Sequence, residues 1–367
     1  MNKKRHIKAV SLGKLFGIKV ELHYSWFFIF ILLAWALSSQ FFPYYFPRFS
    51  RIENWIVGSV SSLLLFVSVL LHELSHSLVA KSYRMGVHKI TLFFFGGVAQ
   101  ITGEHLTPKR EFRMALAGPT FSIILAFLFY FILIGTVNVY LQAVSFYLFR
   151  LNLILAVFNL VPGFPLDGGR IFRSVLWYLT NDLKKATRWA ANAGKFFAIF
   201  LVVLGVLAGW GGLWFILIGI FLYLMAEASY EQTIIKDTLE GVPVKEVMKK
   251  DFKSVNENLT VAKLFTKYFM HYKQDAFLVT KRKKPVGIVD LNCLKRIPKP
   301  LWQRAKVKNC MLPISKTADV KEDSYKALTK MSEQGLSAMP VIKNKKLVGI
   351  FDTDAISKFL RLKIELD

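Results

Sequence analysis

From Ile56 to Leu71 the chain carries no ionisable residue, and the next five residues are His72-Glu73-Leu74-Ser75-His76. Only a helix satisfies the backbone hydrogen bonds of such a run inside a bilayer. Six stretches of this kind occur: roughly Ser25–Phe42, Ile56–Ala80, Met114–Val137, Tyr140–Val161, Ala193–Trp210 and Leu213–Ala228. Each is near the ~20 residues that a hydrocarbon core of about 30 Å requires. At 54% hydrophobic residues and a mean hydropathy of +0.39, the chain is too apolar for an ordinary soluble protein. The expected fold is an α-helical polytopic membrane protein with six transmembrane helices and a soluble C-terminal part.

Loop charges orient the spans. With the N-terminus inside, the cytoplasmic side receives Lys3, Lys4, Arg5, Lys8, Lys14 and Lys19, then Lys81, Arg84, Lys89, Lys109, Arg110 and Arg113, then Arg170, Arg173, Lys184, Lys185 and Arg188. The outer loops receive only Arg48 and Arg51. This asymmetry predicts a cell-membrane protein with both termini cytoplasmic. The basic start precedes a long apolar stretch without a small-residue exit site, which reads as a first span rather than a cleaved signal. The net charge of +25 follows this topology, so it points to an anionic lipid surface and not to nucleic acid. Arg150 lies inside the fourth stretch; snorkelling to the outer interface and a partner within the bundle are both open.

The histidines and Glu73 form the pattern His-Glu-x-x-His. Residues four apart share a helix face, so His72 and His76 can grip one metal ion, with Glu73 beside them as a general base. A hydrolytic zinc site needs a third protein ligand and a position for water. Asp167 is the candidate, in Asn159-Leu160-Val161-Pro162-Gly163-Phe164-Pro165-Leu166-Asp167-Gly168-Gly169. Pro162 and Pro165 end the fourth span, and Gly163, Gly168 and Gly169 allow sharp turns. His72 lies about 24 Å along an inward-running helix at 1.5 Å per residue, and Asp167 follows the end of another. Both halves therefore lie towards the cytoplasmic face. Glu73 and Asp167 are the main acidic candidates, with Glu227 at the edge of the last span.

These paired motifs resemble the site-2 protease family of intramembrane zinc metalloproteases, in the subgroup with a C-terminal CBS pair. Phe95-Gly96-Gly97-Val98-Ala99 and Ala115-Leu116-Ala117-Gly118-Pro119 match as well, and the resemblance runs from about Ile18 to Glu227. Ser75 stands where the family usually has Gly. The resemblance implies one zinc per subunit on His72, His76 and Asp167, with Glu73 as acid/base. Asn159 becomes a donor to the oxyanion or the substrate backbone, with helix packing as its alternative role. Substrates would be membrane proteins cut in or near their transmembrane segments. Leu92–Ile101 reads as two extended arms about a Gly-Gly turn, a short membrane-associated β-hairpin. By analogy with the family, its edge would pair with an extended substrate segment.

Composition turns soluble near Lys236, dividing the chain into a membrane domain, 1–232, and a cytoplasmic domain, 233–367. The second part repeats over about 242–297 and 305–362. Val244-Lys245-Glu246-Val247-Met248 recurs as Val307-Lys308-Asn309-Cys310-Met311, and Val286-Gly287-Ile288-Val289-Asp290 as Val348-Gly349-Ile350-Phe351-Asp352. Ala338–Ile342 and Leu347–Phe351 flank a hairpin turn at Lys343-Asn344-Lys345-Lys346. The repeat looks like an α/β CBS domain pair, modules that bind adenine nucleotides and regulate an attached protein. Asp290 and Asp352 occupy the position where the nucleotide-binding pattern has a hydroxyl, and its ribose-binding Asp is missing in both copies. That argues against adenine nucleotide and leaves a structural role or a homodimer through the pair. Basic residues such as Lys281–Lys284 could still attract a polyanion or the bilayer surface. Cys293 and Cys310 match no zinc spacing and are expected as free thiols. The reading from a different class is a CBS-regulated metal-ion transporter using the same His/Asp site.

Overall fold

The computed structural model describes residues 9–94, 96–102, 107–272, 274, 276–282, 284–314, 316–344 and 346–366. Lys3, Lys4, Arg5, Lys8, Phe95, Lys283 and Lys345, named above, lie outside them. Two compact units follow each other, one reaching Tyr230 and the other starting at Glu231.

The first unit is built on six helices long and apolar enough to cross a membrane. One span joins α1 (Tyr24–Ala36) to α2 (Phe42–Tyr45) through a wider turn at Leu37–Phe41. The others are α3 (Arg51–Ser82), α4 (Pro108–Gly135), α5 (Val139–Asn159), α7 (Leu183–Leu207) and α8 (Leu213–Leu239). Polar residues before each apolar run set its start. Ser50 and Glu53 close a reciprocal cap on α3, Thr107 caps α4 with Pro108 behind it, and Asn138 caps α5. Asp182 caps α7, ten residues before the apolar stretch predicted it, because Lys184, Lys185 and Arg188 dilute its first turns. Arg150 has partners after all: its guanidinium lies 4.0 Å from the Phe146 ring centre and 5.2 Å from that of Tyr45. Glu227, at the edge of the last span, pairs with Lys195.

The predicted hairpin proves to be half of a four-stranded sheet, β1 (Ala9–Leu15), β2 (Ile18–His23), β3 (Gly86–Phe93) and β4 (Gly96–Thr102), in that order. The β2/β3 pair is parallel and the outer pairs antiparallel. Ile18, Val20 and Leu22 alternate inward beside Ile90 and Leu92, and this face packs on Trp26 and Ile29 of α1 and on Phe66 and Leu74 of α3. The sheet thereby seats on the helix that carries the histidine motif. Phe93 pairs with Gly96 and Leu92 with Gly97, so both glycines lie in the strand and not in the turn. Glu21 sits between Lys19 and Lys89, at 2.6 and 2.7 Å, and their hydrogen bonds hold its carboxyl below the ordinary glutamate value.

The second unit holds two sheets, in the orders β5-β6-β7-β8 and β11-β10-β9. β5 (Ser254–Asn256), β6 (Ala276–Lys281) and β7 (Lys284–Asp290) come from the first repeat. β8 (Leu312–Pro313), β9 (Ala318–Asp319), β10 (Ala338–Lys343) and β11 (Lys346–Asp352) come from the second. The opening segment of each repeat crosses to the other. β8 pairs with β7 of the first copy, Lys249 bridges Ile350 of the second, and Met248 and Met311 fill the space over Gly349 and Gly287. The repeats are thus interlocked, and Val244 and Val247 share one core with Ala327, Met331 and Ile350. The same crossing overturns the expectation of free thiols: Cys310 is carried to Cys293 and joined to it, with Cα atoms 5.2 Å apart.

Candidate active site

Helix α3 places His72 and His76 one turn apart on its buried face. Helix α4 supports both rings with residues that are eight apart, about two turns. The His72 Nδ1 lies 2.9 Å from the Ser122 hydroxyl, and the His76 Nδ1 lies 2.6 Å from the Met114 carbonyl oxygen. A carbonyl can only accept, so the His76 Nδ1 carries its proton there and the Nε2 presents a lone pair. Between them on the same face, Gly118 faces the two Nε2 atoms; a Cβ on it would lie 2.2 Å from that of His76 and 2.6 Å from that of His72.

Asp167 opens helix α6 (Asp167–Thr180), which the sequence reading did not foresee. Asp167 stands in its first turn, where the helix dipole favours a carboxylate. Its Oδ2 lies 3.1 Å from each histidine Nε2, and the two Nε2 atoms are 3.3 Å apart. Two ligands held ~2.0–2.1 Å from one zinc ion at the tetrahedral angle are roughly 3.3 Å apart. The three side chains therefore fit zinc and could hold it. The glycines near Asp167 act differently from what was expected. None of Gly163, Gly168 and Gly169 has a positive φ; at Gly168 a Cβ would lie 2.3 Å from the carbonyl oxygens of Leu160 and Val161. Close backbone approach, not turning, demands glycine there.

Glu73 makes no hydrogen bond among the described residues. Its side chain lies against Gly97 of β4, where a Cβ would come within 2.5 Å of the Glu73 Cγ. The sheet's edge strand therefore passes directly over the carboxylate. Asn159 is not drawn into this constellation by any hydrogen bond among the described residues; its Nδ2 donates to the Leu155 carbonyl of its own helix, 3.0 Å away.

Sequence reasoning missed several supporting residues. Met114, Gly118 and Ser122 share a spacing of four, the signal that picks out the histidines, yet of these only Gly118 figures in a motif of the sequence reading, Ala115-Leu116-Ala117-Gly118-Pro119. The buried Asn152 of α5 donates to Ser68 of α3, one turn before His72, at 3.2 Å. Glu111, 1% exposed, is grasped by Arg173, with the Arg170 Nε 3.9 Å away; this clamp ties the start of α4 to α6. Glu111→Ala removes one partner of a buried ion pair and is expected to destabilise the membrane unit by about 3–5 kcal/mol. Thermal unfolding of the detergent-solubilised protein checks this; an unchanged midpoint would mean that the clamp contributes nothing.

Comparison with known proteins agrees with the geometry. The family model "Peptidase family M50" matches residues 60–145 and 135–204, and the CBS domain model matches residues 244–297 and 307–362. Rip3 of Mycobacterium tuberculosis is 31% identical over 365 residues, covering 96% of this chain and 93% of its own. The zinc metalloprotease MJ0392 of Methanocaldococcus jannaschii is 30% identical over 365 residues, 98% of both chains. A solved site-2 protease from the same organism is 33% identical, with a TM-score of 0.44 over 61% of this chain and 95% of its own. This multi-pass membrane chain belongs to peptidase family M50, the site-2 protease family of zinc metalloproteases, and carries a C-terminal CBS domain pair.

Proposed function

We propose that this protein is an intramembrane endopeptidase that hydrolyses peptide bonds in or next to transmembrane segments of membrane-protein substrates. One observation carries the proposal: three donor atoms 3.1, 3.1 and 3.3 Å apart stand beside a carboxylate lying under a strand edge. Zinc on His72, His76 and Asp167 supplies Lewis acidity towards a water molecule and the substrate carbonyl. Glu73 takes a proton from the attacking water and returns it to the leaving amide nitrogen. The edge of β4 is the proposed seat of the unwound substrate, since a helical segment keeps its carbonyls occupied. Asn159 is the proposed donor to the substrate backbone once it releases Leu155. In support, Asn159 lies seven residues, about two helical turns, beyond Asn152, which donates to Ser68 of α3.

The loop charges support cytoplasmic termini in the cell membrane. We assign the CBS pair a regulatory role through self-association and not through adenine nucleotide. Asp290 and Asp352 accept from the Cys293 and Ala355 amides as caps of the helices that follow, and Asp352 also pairs with Lys249 at 3.1 Å. These carboxylates would face a phosphate.

The test is cleavage of a panel of single-span membrane proteins by purified protein in vesicles. Cutting is expected to stop on chelation and to return with stoichiometric zinc. A protein that cuts none of them while moving zinc across the vesicle wall would instead be a metal-ion transporter.

A further inference from the structure

A groove of about 390 Å³ opens between the first turns of α4 and the last turns of α6, away from the metal-ligand cluster. This lies within the ~300–1,000 Å³ range of small-molecule sites. Phe112, Val175, Tyr178 and Leu179 form its apolar wall, and Lys109 and Arg113 its basic rim. Neither rim residue has a carboxylate within ion-pair distance among the described residues; the Lys109 Nζ lies 5.8 Å from the Tyr178 ring centre. Tyr178 and Leu179 are 59% and 69% exposed. Helix α6, with 14 residues, is about 21 Å long, too short to cross a bilayer. It is amphipathic, and the groove lies where the span α4 begins, the level at which headgroups are expected. An apolar slot beneath two unpaired cations, at that depth, matches an acyl chain beneath a phosphate.

We propose that this groove is a binding site for one anionic phospholipid. Its walls are the helices that carry Gly118 and Asp167. An occupant wedged between them braces α6 against α4, opposite the clamp that Glu111 makes with Arg173, and steadies Asp167. This second part rests on the zinc-site reading; the lipid site itself does not.

The test uses full-length protein in phosphatidylcholine bilayers with a minor fraction of phosphatidylglycerol. The protein is extracted gently and its retained lipid counted by native mass spectrometry. Wild type is expected to keep one phosphatidylglycerol. In Lys109→Glu/Arg113→Glu retention should fall by at least roughly thirtyfold, the change expected for losing two basic contacts at a lipid surface. The control Lys14→Glu/Arg188→Glu makes the same charge change elsewhere and should keep the lipid. Val175→Trp, which fills the groove without altering charge, should lose it and serves if the first variant misfolds. The proposal is overturned if wild type retains no excess of phosphatidylglycerol, if both double variants lose it equally, or if inorganic phosphate displaces it as a simple anion. Bracing is read separately, as slower loss of zinc to a chelator with phosphatidylglycerol present. Equal rates with lipid bound would sink the bracing and leave the site.

Discussion

A Glu73→Gln variant is expected to lose cleavage by about 10²–10⁴-fold, the usual contribution of a positioned general base, while keeping its zinc. The separation of the two effects follows from geometry. Glu73 lies outside the three-atom cluster of His72, His76 and Asp167, and glutamine preserves the volume that Gly97 is shaped to accept. An amide cannot take a proton from water, so the substitution removes that step and little else. Metal content by plasma mass spectrometry and turnover of a single-span substrate check it together. Activity within threefold of wild type would remove Glu73 from the chemistry. Loss of zinc along with activity would mean that Glu73 serves the metal site and not the proton path.

Gly118→Ala is the second large effect, and it leaves all three proposed ligand residues in the sequence. Its methyl group would stand 2.2 Å from the His76 Nε2, 2.5 Å from the His76 Cε1 and 2.6 Å from the His72 Nε2. Neither ring can retreat easily, because each is held from behind, His72 by Ser122 and His76 by the Met114 carbonyl. The expected result is zinc binding weakened by at least ~10–100-fold, as for loss of the groups that orient metal ligands, and proteolysis lost with it. Circular dichroism and the melting midpoint should stay near wild type if the fault is local. A fully zinc-loaded, active Gly118→Ala protein would show that the histidines point elsewhere.

The six apolar helices and the placing of His72 and His76 on one helix face were legible because both rest on local patterns. A ~20-residue apolar run and a pair of histidines four apart need no knowledge of the rest of the chain. What stayed hidden depends on distant partners. Ile18-Lys19-Val20-Glu21-Leu22 alternates as a strand should, yet its parallel partner β3 lies some seventy residues on, with α3 between. Helix α6 was obscured because Pro162, Gly163, Pro165, Gly168 and Gly169 read as a break. The structure uses two of those glycines, Gly168 and Gly169, inside the helix to bring it against the preceding loop. Glu111 carries no local signal, because its partner Arg173 lies 62 residues away. The joined cysteines had the same cause: the spacing of 17 says nothing until the second repeat is seen to begin on the sheet of the first.

Among the described residues, the sheet beside Glu73 has a second unpaired edge, β1, whose side chains are largely apolar. Val10, Leu12, Leu15 and the following Phe16 are 43%, 59%, 42% and 68% exposed. In water an apolar edge of this kind recruits other strands, and proteins usually blunt it with charge or cover it. Here a shift in register between Ser11 and Gly13 interrupts the ladder, and lipid at the membrane surface can cover the apolar side chains. Headgroups and interfacial water can satisfy the strand's free N–H and C=O groups, which acyl chains cannot, while the chains shield the apolar side chains. The membrane then acts for this sheet as the covering helix does in a soluble protein. Stripping lipid from the purified protein would uncover the edge, so aggregation during delipidation would start at β1 and not in the helical bundle.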